Sequence, residues 1–365
     1  MKASGLRIGL VGPLPPPSGG MANQTLQLAK LLRAEGAAVE LIPVNSPYRP
    51  PWVGRIKGIR AIFRLLPYLA HLWRTAGEVQ LFHVMANSGW SWHLFAAPAI
   101  WIARFRGKPV VLNYRGGEAD SFFNEAFFWV KPSLRRASAI IVPSGFLEAV
   151  FEKHGFPTGI VPNIIDLSRF KARNRVIDSD SRKTGWPHVI VTRNLEPIYD
   201  NTTALRAFSI IRHAFPSAKL TLAGSGPDRA ALEQLAAELG MADAVTFTGR
   251  LDNEGMAEIY DSADLMINPS LADNMPISIL EALASGVPVV STNIGGIPYL
   301  VEHEKTAMLV PARNPESMAD AILSLLNDAS KAKAISKAGV ESVQRYTWTN
   351  VRERLFRVYE QVLPG

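Results

Sequence analysis

A chain of 365 residues, 47% hydrophobic and 19% charged, is too long for one ordinary core and too apolar to be disordered, so two globular domains are expected. It contains no cysteine, which excludes disulfides and thiolate metal sites, and no stretch reaches the ~20 apolar residues of a membrane span. The net charge of +7 conceals an asymmetry: residues 1–175 carry 22 Lys and Arg against 9 Asp and Glu, whereas the remainder carries 17 against 23. A basic first half calls for an anionic partner, whether nucleic acid, an anionic membrane or a phosphorylated substrate.

The elements alternate from the start. Leu6–Val11 reads as a buried strand, too short for the core of a signal peptide, so a cytoplasmic location is expected. Met21–Ala34 follows as a helix with Leu26, Leu28, Ala29, Leu31 and Leu32 on its apolar positions, then Val39–Val44 as a strand. The pattern continues through Val79–Val84, a helix over Trp92–Phe105 whose apolar run Leu94–Ala103 reads as buried, and strands at Pro109–Asn113 and Ala139–Val142. Polar residues 171–184 lose it and read as a linker. It restarts with strands at His188–Thr192, Lys219–Ala223, Ala244–Phe247, Leu265–Asn268 and Pro288–Ser291. Helices fall between them at Thr203–Ala214, Asp228–Leu239, Glu254–Asp261 and Ile277–Ala284. This is the signature of α/β domains with parallel, doubly wound sheets, over residues 1–170 and 185–345, in which ligands bind beyond the carboxyl ends of the strands.

One segment stands apart. Asp273-Asn274-Met275-Pro276-Ile-Ser-Ile-Leu-Glu281 runs into Ala-Leu-Ala-Ser-Gly286-Val-Pro288-Val-Val, so two carboxylates flank the start of an apolar helix that leads to a buried strand. Pro276 suits a first helical position, where its missing N–H costs nothing, and Asn274 suits a cap. At ~1.5 Å rise per residue the carboxylates stand up to about 12 Å apart. A helix N-terminus between them attracts phosphate. The arrangement fits a long ligand with hydroxyls at both ends and phosphate in the middle, which is the shape of a nucleotide-sugar. The plain alternative is a helix-capping Asp and an exposed Glu.

Other features are less specific. The loop from Gly12 through Ser18, Gly19 and Gly20 joins a strand to a helix, where glycines let backbone amides approach a phosphate; a Gly-Gly pair alone is more often just a turn. Residues 48–74 interleave Arg55, Lys57, Arg60, Arg64 and Arg74 with Trp52, Ile56, Ile59, Ile62, Phe63 and Trp73. An amphipathic helix of that kind lies on an anionic bilayer, or else packs its apolar side into the core. No recognised nucleic-acid module accompanies the charge. Zinc spacing, nucleophile elbow and Gly-Lys-Ser/Thr phosphate loop are all missing, and Asp178-Ser-Asp180 lies in the linker, far from any strand end, so no metal or other cofactor is expected.

The segment Asp273–Glu281, with Asp264-Leu-Met-Ile-Asn-Pro269-Ser270 before it and Gly295-Gly296-Ile-Pro298 after it, resembles the Glu-x7-Glu motif of the retaining GT-B glycosyltransferases of group 1. The resemblance spans nearly the whole chain and is strongest from Val161-Pro-Asn163-Ile-Ile-Asp166 to Val310. It implies two Rossmann-like domains facing across a cleft, with a last helix at Trp348–Val362 returning to the first domain. It implies transfer of a hexosyl unit from a nucleotide diphosphate sugar to a saccharide or lipid-linked hydroxyl, with retained anomeric configuration and no metal, by a protein that is cytoplasmic or peripheral on the inner face of the membrane. Asp273 and the amides near Asn274, Met275 and Pro276 would hold the donor sugar and Glu281 the ribose. Gly249 and Arg250 would meet the base, Gly19 and Gly20 the diphosphate, and Arg193 the departing charge.

The departures are specific. The first carboxylate is Asp where the family has Glu. The lysine about five residues after the family arginine is replaced, after Arg193, by Ile198 or Tyr199. Where relatives often carry a histidine near the transferred sugar, this chain has Asn113-Tyr114-Arg115-Gly116-Gly117-Glu118. Arg115 is no base at neutral pH but steadies a hydroxyl or phosphate, so it joins the catalytic candidates. Glu118 and His83 are acceptor-side candidates, unless Arg115 and Glu118 simply pair and His83 is structural. Two other readings stand beside the transferase: a non-catalytic nucleotide-sugar-binding subunit, and a nucleotide-sugar epimerase on the same fold.

Overall fold

In a computed structural model, the chain is described over residues 4–16, 19–48, 52, 56, 59–172 and 186–363. It divides into two α/β units. The first comprises Met1–Ile164 and Trp348–Gly365, the second Ile165–Thr347.

The first unit runs β1 (Arg7–Gly12), α1 (Gly20–Ala34), β2 (Ala38–Pro43), α2 (Ile59–Thr75), β3 (Leu81–Ala86), α3 (Ala97–Phe105), β4 (Val110–Tyr114), α4 (Ala119–Leu134), β5 (Ala139–Val142), α5 (Gly145–Lys153) and β6 (Gly159–Ile160). Its parallel sheet has the order β2-β1-β3-β4-β5-β6, so the direction of winding reverses between β1 and β3. Every residue of β3 and β4 is buried, as a strand covered on both faces requires. The period of two assigns their side chains to opposite cores. Phe82, Val84, Leu112 and Tyr114 join the core that also holds Trp92 and Phe123; Leu81, Met85 and Val111 join the core closed by α1 and by the terminal helix.

The second unit runs β7 (His188–Val191), α6 (Asn201–Ala214), β8 (Lys219–Leu222), α7 (Arg229–Glu238), β9 (Val245–Phe247), α8 (Asn253–Ser262), β10 (Leu265–Asn268), α9 (Ile277–Ala284), β11 (Val289–Thr292), α10 (Ile297–Leu300), β12 (Met308–Val310), α11 (Pro315–Asn327) and α12 (Ala329–Ser342). Its sheet is also parallel, in the order β12-β11-β10-β7-β8-β9. The chain winds outward from β7 to β9 and returns to β10 on the other side of β7. The switch point therefore lies at the carboxyl ends of β7 and β10. The terminal helix α13 (Trp348–Val362) buries Val351, Leu355 and Tyr359 in the first unit.

Several expectations shift. The division falls at Ile164/Ile165, ahead of residues 171–184, because Ile165 and Phe170 are buried in the second unit's core. Residues 173–185, including Asp178 and Asp180, lie outside the described residues, as do Ser18 and residues 49–51, 53–55, 57 and 58 of the basic stretch. The expected helix over Trp92–Phe105 begins with a π-turn, Trp92–Ala96, and is not wholly buried: Trp101 and Phe105 face outward. Helix α9 starts at Ile277, with Pro276 as its N-cap rather than its first residue and no side-chain cap. The chain stays extended that far because the Asp273 Oδ1 accepts from the Asn274 amide and the Gly296 amide donates to the Asp273 carbonyl.

Candidate functional site

The switch point of the second unit gathers its candidates. Arg193 follows β7, and Asp273 follows β10 on the loop leading into α9. The Arg193 Nη2 donates to Asp273 Oδ2 at 2.5 Å, and its Nη1 donates to Ser278 Oγ at 3.2 Å. Its guanidinium lies 4.1 Å from the ring centroid of Tyr199, close enough for a cation–π stack. Tyr199 returns to Arg193 because Pro197–Tyr199 forms a 3-10 turn, and Asp200, with φ 41°, ends it and caps α6 by accepting from the Thr203 amide. The stretch after Arg193 thus carries an aromatic face stacked on the arginine.

Two glycine pairs let this loop system close. A Cβ on Gly224 or Gly226 would collide with the carbonyl oxygen of Arg193 or Leu195, and one on Gly295 or Gly296 with that of Asp273 or Asn274. Each pair brings one strand-end turn against the backbone that holds a charged candidate.

Glu281 lies inside α9, three positions after Ser278 and therefore on the same face. Its Oε2 is 3.1 Å from the hydroxyl of Tyr260, a fully buried residue of α8 that also reaches the Ser278 carbonyl at 3.0 Å and Thr192 Oγ1 at 2.7 Å. Burial pushes the Glu281 carboxyl up to about 7, against the lowering effect of the Tyr260 hydroxyl, Arg169 and Arg193. Burial also raises the Asp273 carboxyl, against Arg193, the Asn274 amide and Ser270. Tyr260 is pushed well above its ordinary value by burial and by Glu281, so it stays a donor. Asn274 and Met275 are buried on the same loop. Gly249 and exposed Arg250 follow β9, the edge strand, two positions along the sheet from β7.

The remaining candidates belong to the first unit. Gly19 caps α1 in an extended conformation, and a Cβ on Gly19 or Gly20 would meet nothing within 4 Å, so this helix N-terminus is open among the described residues. His83 lies within β3, fully buried and with both ring nitrogens engaged. It shares its face with Leu81 and Met85, where α13 packs, and its Nδ1 lies 2.8 Å from Tyr359 Oη. Burial and Arg115 depress its pKa to about 3, so the ring stays neutral. Arg115 donates to the side-chain oxygens of Asn113 and Asn163 and forms no ion pair with Glu118, which is exposed at the start of α4.

The contacts made by Tyr199, Tyr260, Ser278, Asn163 and Tyr359 are not legible in the sequence. Ser278 was accessible through its helical spacing to Glu281, and a tyrosine that is buried must satisfy its hydroxyl. The other contacts require the topology.

A family profile for "Glycosyl transferases group 1" matches residues 187–328, and one for "Glycosyltransferase Family 4" matches residues 18–169. The chain belongs to the group 1 glycosyltransferases. This glycosyltransferase is 27% identical to the phosphatidyl-myo-inositol mannosyltransferase of Mycobacterium leprae over 98% of its own length and 97% of that protein's. It is 36% identical to a D-inositol 3-phosphate glycosyltransferase of Corynebacterium urealyticum over 59% of its length and 54% of that relative's. Its fold is similar to that of sucrose-phosphate synthase from Thermosynechococcus elongatus, with a TM-score of 0.78 at 22% identity over 98% of both chains. It is also similar to that of Anabaena HepE solved with UDP, with a TM-score of 0.75 at 19% identity over 97% of this chain and 100% of the other. The fold is GT-B, built of two Rossmann-like domains.

Proposed function

We propose that this glycosyltransferase moves a hexosyl unit from a nucleotide diphosphate sugar to a hydroxyl acceptor, retaining the anomeric configuration and using no metal ion. The observation that carries this reading is the gathering of Arg193, Asp273 and Glu281 at the switch point of the second unit, beside the N-terminus of α9. Asp273 and the amides of Asn274, Met275 and Pro276's neighbourhood hold the sugar, Glu281 takes the ribose hydroxyls, and the turn at Gly249 and Arg250 meets the base through its backbone. Arg193 and the α9 N-terminus stabilise the departing diphosphate, an electrostatic contribution worth several kcal/mol of barrier. In the first unit, the open α1 N-terminus at Gly19 and Gly20 offers amides to phosphate.

Both oxygens of Asp273 are engaged, one by Arg193 and one by the Asn274 amide, which suits a residue that binds rather than attacks. Front-face attack assisted by the leaving phosphate follows as the retaining route. UDP in the complex of HepE, and the phosphatidylinositol in the name of the M. leprae relative, support a nucleotide-sugar donor and a lipid-linked acceptor for this chain.

The acceptor side we place on an anionic membrane, on the cytoplasmic face. No described helix is long and apolar enough to cross a bilayer. On the outer faces of adjoining helices α2, α3 and α4, however, Ile62, Phe63, Leu66, Trp73, Trp101, Phe105, Phe128 and Trp129 are exposed, Phe105 by 79% and Phe128 by 78%. Trp73 contacts Phe105 at 5.6 Å between centroids, and Arg106 and Arg136 stack on Trp73 and Trp101. Cations interleaved with half-exposed aromatics suit the headgroup level of an anionic bilayer. The surface extends past the basic stretch 48–74 onto two further helices.

A second reading, donor binding without transfer, is favoured by Ile198 or Tyr199 standing where the family has a lysine. Nucleotide release from UDP-, GDP-, ADP- and dTDP-sugars, with and without lipid extract, separates the two. Release from one donor, stimulated by lipid and lost in Glu281→Ala, supports the transferase. Glu281-dependent binding without release supports the second reading.

A further inference from the structure

Arg115 is a largely buried guanidinium that no carboxylate among the described residues answers. It leaves the end of β4, its Nε donates to Asn113 Oδ1 at 3.1 Å, and its Nη1 donates to Asn163 Oδ1. Both partners are neutral amides. Desolvation depresses its pKa to about 10, with no acidic neighbour among the described residues to oppose it, yet it stays charged at neutral pH. Arg193 in the second unit is also buried, but there Asp273 supplies the opposite charge. A buried cation left uncompensated is destabilising, so a fold that keeps one is set up for a ligand to bring the anion.

The guanidinium is held in place by a chain of directed hydrogen bonds. Because Arg115 Nε–H takes the Asn113 oxygen, the Asn113 amide must present Nδ2–H to His83 Nε2, at 3.0 Å. His83 is neutral, so its proton sits on Nδ1 and is donated to Tyr359 Oη at 2.8 Å. The C-terminal helix thereby fixes a histidine tautomer, an amide orientation and an arginine. Around the same strand ends lie more polar groups: Ser88 Oγ is 2.8 Å from Tyr114 Oη, and a Cβ on Gly116 would collide with Ser88 Oγ and crowd Asn87 Oδ1. The Nη2 of Arg115 meets no partner among the described residues, and this is the edge that remains for a ligand.

We propose that Arg115 anchors a phosphate ester carried by the acceptor, with Asn113, Asn163, His83 and Tyr359 as positioning residues that hold the guanidinium for it. This rests on the transferase reading, and it narrows the acceptor from any hydroxyl compound to an anionic one. The same phosphate chemistry could come from the donor's diphosphate, so the test has an arm for each source.

Isothermal titration of the full chain with inorganic phosphate and sn-glycerol 3-phosphate, with glycerol as the uncharged control, reads the anion site; UDP and GDP read the donor site. Saturable binding of both phosphates and not of glycerol is expected. Arg115→Gln should weaken the phosphates at least tenfold and leave UDP and GDP within twofold. Arg115→Lys, which keeps the charge and loses the fork, should fall between and serves if the glutamine variant does not fold. Tyr359→Phe should weaken the phosphates severalfold without moving nucleotide affinity, a split that a merely structural tyrosine would not produce. Wild-type protein that binds neither phosphate, or phosphate affinity unmoved in a folded Arg115→Gln protein, overturns the proposal. So does loss of nucleotide affinity in that variant, which would assign the cation to the donor. Failure of both nucleotides to bind wild-type protein would count against the donor reading alone and leave the phosphate arm to decide this one.

Discussion

Glu281→Gln removes a carboxyl that burial has pushed from 4.5 to about 7, and its effect on stability should depend on pH in one direction only. Below pH 4.5 the group is protonated in folded and unfolded chains alike and carries no charge penalty. As pH rises through the window from 4.5 to 7, the unfolded chain releases the proton first, so wild-type stability falls; above 7 the full penalty is present and the curve is flat. At ~1.4 kcal/mol per pH unit the loss accumulates to about 3 kcal/mol, and solvent screening at a half-buried side chain brings it to about 2 kcal/mol. Glutamine keeps the shape and still accepts from Tyr260. The variant should therefore match wild type to within a constant offset at pH 4.5 and gain about 2 kcal/mol on it by pH 8. In urea unfolding followed by circular dichroism, a slope of ~2 kcal/mol/M turns this into a midpoint rise of about 1 M. An offset that stays constant from pH 4.5 to 8 would refute the placement of this carboxyl among Tyr260, Ser278 and Arg193. Nucleotide affinity should fall in the same variant, so that stability and binding move in opposite directions.

Tyr199→Ala removes the ring stacked on Arg193 and should cost about 1 kcal/mol of stability in urea unfolding, with a several-fold loss of UDP or GDP affinity by titration. Gly296→Ala places a methyl against the Asn274 carbonyl and should cost on the order of 2–3 kcal/mol, with donor affinity falling because the Asp273 loop must move. Replacing Phe105 and Phe128 together by serine should leave the melting temperature within a few degrees and lower co-sedimentation with vesicles of anionic lipid at least tenfold, since each inserted aromatic is worth about 1.5–3 kcal/mol. Unchanged sedimentation would remove the membrane from the account.

The sequence was most legible where one element carried its own pattern. Ile277–Ala284 falls where its own pattern places it and Trp348–Val362 where the family resemblance places it, and Asp273 and Glu281 flank the start of the first of these helices. Fine structure ahead of α9 was not legible. Whether Pro276 caps or begins the helix depends on the Gly296 amide, which reaches the Asp273 carbonyl from another loop. Helix α4 gave no signal because it is apolar on two faces: Phe122 and Phe123 enter the core while Phe128 and Trp129 face outward. The same ambiguity made the Trp101 and Phe105 helix read as buried. Pairings across the fold were the least accessible. Arg193 and Asp273 are 80 residues apart, and His83 and Tyr359 are 276 apart, so only the strand order and the return of α13 bring them together. Fold class was carried by alternation that every strand repeats; the candidate site was carried by single contacts that none repeats.

Sugar transfer with retention from a nucleotide donor can be observed directly. Proton NMR of the full chain with the donor that releases nucleotide, in the presence of lipid extract, reads donor, product and anomeric configuration in one spectrum. The donor's anomeric signal should give way to free nucleotide and a glycosidic signal of the same configuration. A product of inverted configuration, a donor converted to its epimer, or a bound donor that persists unchanged would each contradict transfer with retention.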